Sequence, residues 1–157
     1  ITGGGTGIGR AMAHAFADAG DRVTITGRRL NALEDAAAGR DIQCRASDVT
    51  DEAEVAALFE APFHVVIANA GGGRTAKLEK TSLEDWNAAL AVNLTGTFLI
   101  FRAALSNMLE GGRLIAIAST AALQGTPSVP AYTAAKHGVL GLVLTLFGTP
   151  EGAPPAL

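Results

Sequence analysis

The chain has 157 residues, of which 48% are apolar and 17% charged, and it contains 19 glycines. It is long enough to bury a core, and its composition fits one α/β domain with small residues at helix–sheet contacts. A net charge of −3 gives no basis for nucleic-acid binding, no apolar run reads as membrane-spanning, and no basic-then-apolar leader opens the chain. Cys44 is the only cysteine, so no internal disulfide or multi-cysteine metal site is expected and a cytoplasmic location is the default. His14, His64 and His137 are scattered and read as surface or packing residues.

In chain order, Ile1-Thr2 reads as the end of a strand and runs straight into Gly3-Gly4-Gly5-Thr6-Gly7-Ile8-Gly9. A helix follows from about Ile8 to Ala19, with Gly20 as its C′ residue. Strand, glycine turn and helix start in that order form a phosphate site. Glycines leave no Cβ in the way, and the first N–H groups of the helix point at the anion. The spacing of Gly3, Gly7 and Gly9 is neither G-x-G-x-x-G nor a P-loop. The other reading is a tight turn that binds nothing.

Val23–Thr26 is the second strand, and Gly27-Arg28-Arg29 lies at its carboxyl end. In an open parallel sheet the adenosine ribose of a dinucleotide lies there. No acidic residue is present to hold a 2′-hydroxyl, whereas two guanidiniums suit a 2′-phosphate, so NADP is favoured over NAD. The alternative is a solvated helix start. Leu30–Ala38 reads as a helix closed by Gly39, and Ile42–Arg45 as a short strand. Asp48 is an N-cap or turn residue ahead of a short helix at Asp51–Glu60, for which Asp51 is a good cap. His64–Ala68 has the unbroken apolarity of a central strand buried on both faces.

Thr81-Ser82-Leu83-Glu84 reads as a capping box in which Glu84 reaches back to the Thr81 N–H. It opens a long helix containing Trp86, Leu90, Asn93, Leu94, Phe98 and Phe101. Asn93 competes for backbone bonds in mid-helix; on its own it also reads as a polar residue on a solvated face. Arg113–Ser119 is a further buried strand with Ser119 at its carboxyl end, the edge where doubly wound sheets bind ligands. Tyr132 and Lys136 then share one face of a helix that runs to Leu146. A free tyrosine, with a pKa of about 10, is a poor acid or base at neutral pH. A nearby ammonium favours the phenolate, which can then exchange a proton with a carbonyl or alcohol oxygen. A serine can donate a hydrogen bond to the same oxygen. The fold class is α/β, a Rossmann-type doubly wound parallel sheet with helices on both faces.

These motifs together resemble the short-chain dehydrogenase/reductase family. The resemblance is carried by Thr2-Gly3…Gly7-Ile8-Gly9, by Asn69-Ala70-Gly71, and by Ser119 standing 13 positions before the Tyr132…Lys136 pair (132 − 119). It runs from Thr2 to about Leu146. It implies Ser119 as the polariser, Tyr132 as acid/base, Lys136 as pKa modifier and ribose ligand, and Asn93 as a kink that holds a relay water. Gly3, Gly5, Thr6, Gly7, Ile8 and Gly9 would then meet the pyrophosphate, Asp48 and Val49 the adenine, and Asn69, Ala70 and Gly71 would pass close to the cofactor. Two departures stand out: Ala68 replaces the family's usual first Asn, and Thr6 replaces the basic residue of many NADP-using members.

The resemblance implies a nicotinamide-dependent oxidoreductase that interconverts a ketone and a secondary alcohol, with a 3-oxoacyl or 3-hydroxyacyl thioester as the substrate guess. The other reading is a non-catalytic dinucleotide-binding or scaffold relative. Homodimers or homotetramers are expected through the helices bearing Asn93 and Lys136, the latter apolar nearly all round at Leu140, Leu142, Val143 and Leu144. After Leu146 a loop or tail, Phe147–Leu157, replaces the family's sixth strand, cofactor loop, substrate-covering segment and seventh strand. The expectation is therefore one domain, 1–157, that lacks those parts because residues have been lost. One explanation is that further segments belong to the protein but are absent from this sequence, and a measured mass near 15.9 kDa would contradict that explanation.

Overall fold

The computed structural model describes residues 1–147, and the expected tail beyond Phe147 lies outside the described residues. The chain divides into two units, 1–71 with 95–117 and 72–94 with 118 onward.

The first unit carries the sheet. Its elements are α1 (Gly7–Asp18), β1 (Val23–Gly27), α2 (Leu30–Ala37), β2 (Ile42–Ala46), α3 (Glu52–Leu58) and β3 (Phe63–Ala68). β1 and β2 pair in parallel from Val23↔Ile42 to Gly27↔Ala46. Parallel pairing requires a crossover, and α2 supplies it by packing on both strands. Ala13, Val23, Ile25, Leu33, Ala36 and Ile42 form the core beneath. Full burial of a side chain such as Leu33 stabilises by about 1.5–3 kcal/mol.

β3 pairs in parallel with β4 (Met108–Ala116), and α5 (Gly96–Leu105) packs on both. Thr2 joins the two strand pairs: it bridges in parallel to Thr26, and its N–H donates to the Ile67 carbonyl at 3.0 Å. The parallel α/β architecture is as expected, with three differences in detail. β4 starts at Met108 and stops at Ala116, so Ser119 lies past its end. Gly111, at φ 73°, breaks the register between Phe63 and Val65 and hides the start of this strand from a reading of apolar runs. β4 is also not buried on both faces: it pairs only with β3 among the described residues, and Ile115 is exposed. Nor is β3 buried throughout, because an open groove of about 650 Å³ runs along Val23, Thr24, Phe63, Val65 and Val66 and leaves His64 exposed.

The second unit is helical. α4 (Leu83–Leu90) and a short turn at Thr120–Ala122 both pack on α6 (Pro130–Phe147). Small residues allow close approach: Ala89, Ala121, Ala131 and Ala135 are buried, and a Cβ at Gly138 would come within 2.7 Å of Leu94. The capping box falls one residue from its expected place. Ser82 is the N-cap and accepts from the Asp85 N–H at 3.0 Å. Thr81 instead turns its hydroxyl to the Lys77 carbonyl, and its own N–H donates to Leu78, which leaves Glu84 nothing to reach.

Past α4 the helix widens into a π turn, Ala91–Thr95, centred on Asn93. Contrary to the sequence expectation, the stretch Leu83–Leu105 is long and apolar enough to cross a membrane by length and composition, with a mean hydropathy of 1.6. It nevertheless buries the Asn93 amide completely, together with Leu99, Ile100, Phe101 and Ala104, as a core helix does.

Candidate active site

In the first unit the glycine turn is held by Thr2. Its hydroxyl accepts from the Asn69 N–H at 3.0 Å and the Ala70 N–H at 2.9 Å. The Asn69 side chain returns the contact, donating to the Thr2 carbonyl at 2.9 Å and more weakly to that of Gly3 at 3.4 Å. A Cβ at Gly9 would overlap both the Gly3 carbonyl and the Asn69 amide, so the close crossing of turn and helix needs glycine there. Gly7 has the opposite problem. Its φ of 52° is left-handed while the space above it is empty.

Gly5 lies over the Ala32 carbonyl, and Ile8 projects outward. Thr6, the N-cap of α1, makes no side-chain cap bond, so the first-turn N–H groups remain for another acceptor. An open left-handed glycine as the first residue of a twelve-residue helix without a side-chain cap fits the pyrophosphate of a dinucleotide.

Arg28 and Arg29 stand exposed after β1, with Arg29 as the N-cap of α2. A cation at a helix N-terminus is disfavoured by the dipole, and an anion bound there would reverse that. Asp48 forms a turn in which its carboxylate accepts from the Thr50 N–H at 2.9 Å and the Thr50 hydroxyl at 2.8 Å. The Thr50 N–H is the main reason its pKa lies below the ordinary value; the Thr50 hydroxyl and the Arg28 charge add to the lowering, while burial opposes it. The Asp48 N–H donates to Glu54 at 2.7 Å, and Asp51 caps α3. Val49 is buried against Gly96, and Gly71 closes the unit.

The second unit brings Asn93, Ser119, Tyr132 and Lys136 together in one body. The Asn93 amide is wholly buried. Its oxygen accepts from the Gly72 N–H at 3.1 Å, and its nitrogen donates to the carbonyls of Gly72 at 2.6 Å and Ala89 at 2.8 Å. The solvated-face reading is therefore wrong, because the side chain secures the glycine segment to the helix. Ser119 accepts from the Ala121 N–H at 3.1 Å and so caps the turn that packs on α6.

Lys136 is only 4% exposed, and burial lowers its pKa from the ordinary 10.5. Its Nζ lies 5.6 Å from the centroid of the Tyr132 ring, within cation–π range. Gly73 completes the setting: a Cβ there would sit 3.2 Å from that of Tyr132. Thr2 and the Gly72-Gly73 pair stand within or beside the motif stretches of the sequence, but their contacts with Asn69, Asn93 and Tyr132 are visible only in the structure.

A family model described as short chain dehydrogenase matches residues 1–148. The chain is 36% identical over 158 residues to the D-threitol dehydrogenase of Mycolicibacterium smegmatis, covering 90% of this chain and 60% of that protein. It is 34% identical over 160 residues to a 3-oxoacyl-acyl-carrier-protein reductase of Synechocystis, covering 93% and 65%. A solved short chain dehydrogenase/reductase from Burkholderia phymatum, in complex with NAD, superposes with a TM-score of 0.89 at 32% identity, covering 98% of this chain and 60% of that one. The chain therefore spans 60 to 65% of the length of these relatives.

Proposed function

Because this chain belongs to the short-chain dehydrogenase/reductase family, we propose that it serves an NAD(P)(H)-dependent oxidoreductase that interconverts a ketone and a secondary alcohol. The observation that carries this reading is the placing of the Lys136 ammonium 5.6 Å over the Tyr132 ring on the first turns of α6. In the manner of the family, Tyr132 beside this cation gives a proton to a carbonyl oxygen or takes one from an alcohol. Ser119 donates a hydrogen bond to that same oxygen. The nicotinamide supplies the hydride chemistry when bound. Asn93 holds Gly72 in place through its amide and, on the family resemblance, belongs to the relay that returns the proton to solvent.

For the cofactor, Gly3, Gly5, Thr6, Gly7, Ile8 and Gly9 take the pyrophosphate, and Asp48, Val49, Asn69, Ala70 and Gly71 line the adenosine side. Tyr132 and Lys136 hold the nicotinamide ribose. Arg28 and Arg29 favour NADP, since neither forms an ion pair among the described residues and both are exposed. Replacing both with alanine should weaken NADPH binding by about tenfold or more and leave NADH binding unchanged, as losing a charged hydrogen bond of 1.5–3 kcal/mol implies. Equal losses for both cofactors would remove the preference.

The substrate class we favour is a 3-oxoacyl or 3-hydroxyacyl thioester, supported by the likeness to the Synechocystis reductase. A cytoplasmic location and a homodimer or homotetramer through the Asn93 and Lys136 helices complete the reading; Leu146 on the latter helix is exposed. Following nicotinamide absorbance with NADPH and a panel of ketoesters tests the reaction. Cofactor binding without turnover on any ketone would favour a non-catalytic module.

A further inference from the structure

Ser128 is the one non-glycine residue with positive φ among the described residues, at 63°. A side chain in the left-handed region costs about 1–3 kcal/mol and persists only where its surroundings hold it, often at a working site. Ser128 takes this φ as the second central residue of the turn at Pro127–Ser128, and its carbonyl accepts a 2.8 Å hydrogen bond from the Ala76 N–H. The next carbonyl, that of Val129, accepts from the Thr133 N–H at 2.9 Å and opens α6. The strained residue thus sits immediately before the helix turn that carries Tyr132.

The other end of this bond also leads to Tyr132. Gly73, three residues before Ala76, lies so close to the ring that an added Cβ would sit 3.6 Å from Cδ2. Between them, Arg74 donates to both carboxylate oxygens of Asp85, at 3.1 and 3.3 Å, which ties the segment to α4. Arg74, Ala76, Asp85, Pro130 and Tyr132 line one narrow cleft. Tyr132 is therefore caught between its own helix and the Gly73–Ala76 segment, and the Ala76–Ser128 bond closes the ring of backbone around it.

We propose that left-handed Ser128 and its hydrogen bond from Ala76 form a strap that seats Tyr132 against Gly73, making Ser128 a positioning residue for the phenol. The inference rests on the proposed acid/base role of Tyr132. The strap acts through backbone geometry, so glycine should serve at position 128 and a β-branched residue should not.

Tyr132 is the only tyrosine, so a sample with isotope-labelled tyrosine reports its ring alone by NMR, without cofactor or substrate. Ser128→Val, and Ala76→Pro, which removes the donor, should shift those ring signals. Both should lower kcat by about tenfold to a hundredfold, the scale of an ångström misplacement. Ser128→Gly should match the parent in every reading.

Parental ring signals in both Ser128→Val and Ala76→Pro, or parental kcat with displaced signals, would overturn the strap. So would a Ser128→Gly variant as impaired as Ser128→Val. If Ser128→Val fails to fold, judged by Trp86 fluorescence, the comparison of Ala76→Pro with Ser128→Gly decides alone. A fully active Tyr132→Phe would overturn the acid/base reading separately, while the ring signals still judge the strap.

Discussion

Asn93 and Gly72 are joined by two hydrogen bonds in opposite senses, the Gly72 N–H to Asn93 Oδ1 at 3.1 Å and Asn93 Nδ2 to the Gly72 carbonyl at 2.6 Å. A side-chain amide here does what a neighbouring peptide does in a sheet: it satisfies a backbone donor and acceptor together. The π turn makes this possible, because widening the helix at Ala91–Thr95 turns the side chain inward, where a further bond to Ala89 fixes its orientation.

Asn93→Leu keeps the branched outline of the side chain and leaves the Gly72 groups without these partners. Its cost should be about 1–3 kcal/mol, the penalty for buried unsatisfied polar groups. Urea unfolding followed by the fluorescence of Trp86, the sole tryptophan, measures it. A loss well below that range would mean that the pair of bonds contributes little.

The glycine turn separates stability from binding. Gly9→Ala drives a methyl into the Gly3 carbonyl and the Asn69 amide, and overpacking of this kind costs about 1–3 kcal/mol. Gly7→Asn meets open space, and asparagine tolerates the left-handed region, so its stability cost should stay under about 1 kcal/mol. Its side chain would nevertheless occupy the proposed anion site. Thermal unfolding and cofactor titration of the two variants should therefore rank them in opposite ways relative to their stability losses, with Gly7→Asn losing binding at nearly parental stability.

Lys136 sets a pH dependence. Burial lowers its pKa below the 10.5 of the unfolded chain, so the unfolded state binds more protons between the two values. The charge penalty is fully present below the lowered pKa and disappears as pH rises to 10.5. Relative to Lys136→Met, the parent protein should therefore gain stability as pH rises through that window. Urea titrations across alkaline pH would show this, and a parent that loses ground to the variant with rising pH would contradict it.

Much of the fold was legible because its signals are local. The Gly7 and Gly9 positions are dictated by an open left-handed turn and a close crossing, and the Tyr132–Lys136 spacing places both on one helical face. What was not legible depends on contacts across the sequence. The two bonds from Asn69 and Ala70 to Thr2 join segments 67 and 68 residues apart. The capping box was misplaced by one residue because Thr81 and Ser82 are adjacent and chemically alike as caps, and the competing Lys77 carbonyl chose between them. Asn93 announces a polar residue in a helix, but not a π turn. Pro127 suits the first central position of a turn whose next residue, Ser128, has positive φ, but the bond from the Ala76 N–H to Ser128 comes from another segment and has no local signal.

The most direct test of the central claim is steady-state turnover of a ketoester with NADPH, comparing the parent chain with Tyr132→Phe. Phenylalanine keeps the ring over which Lys136 sits and removes only the phenolic oxygen. Loss of a positioned acid/base predicts a fall in kcat of about 10²–10⁴-fold. Equal turnover by the two proteins would contradict the assignment of Tyr132 as the proton-transferring residue.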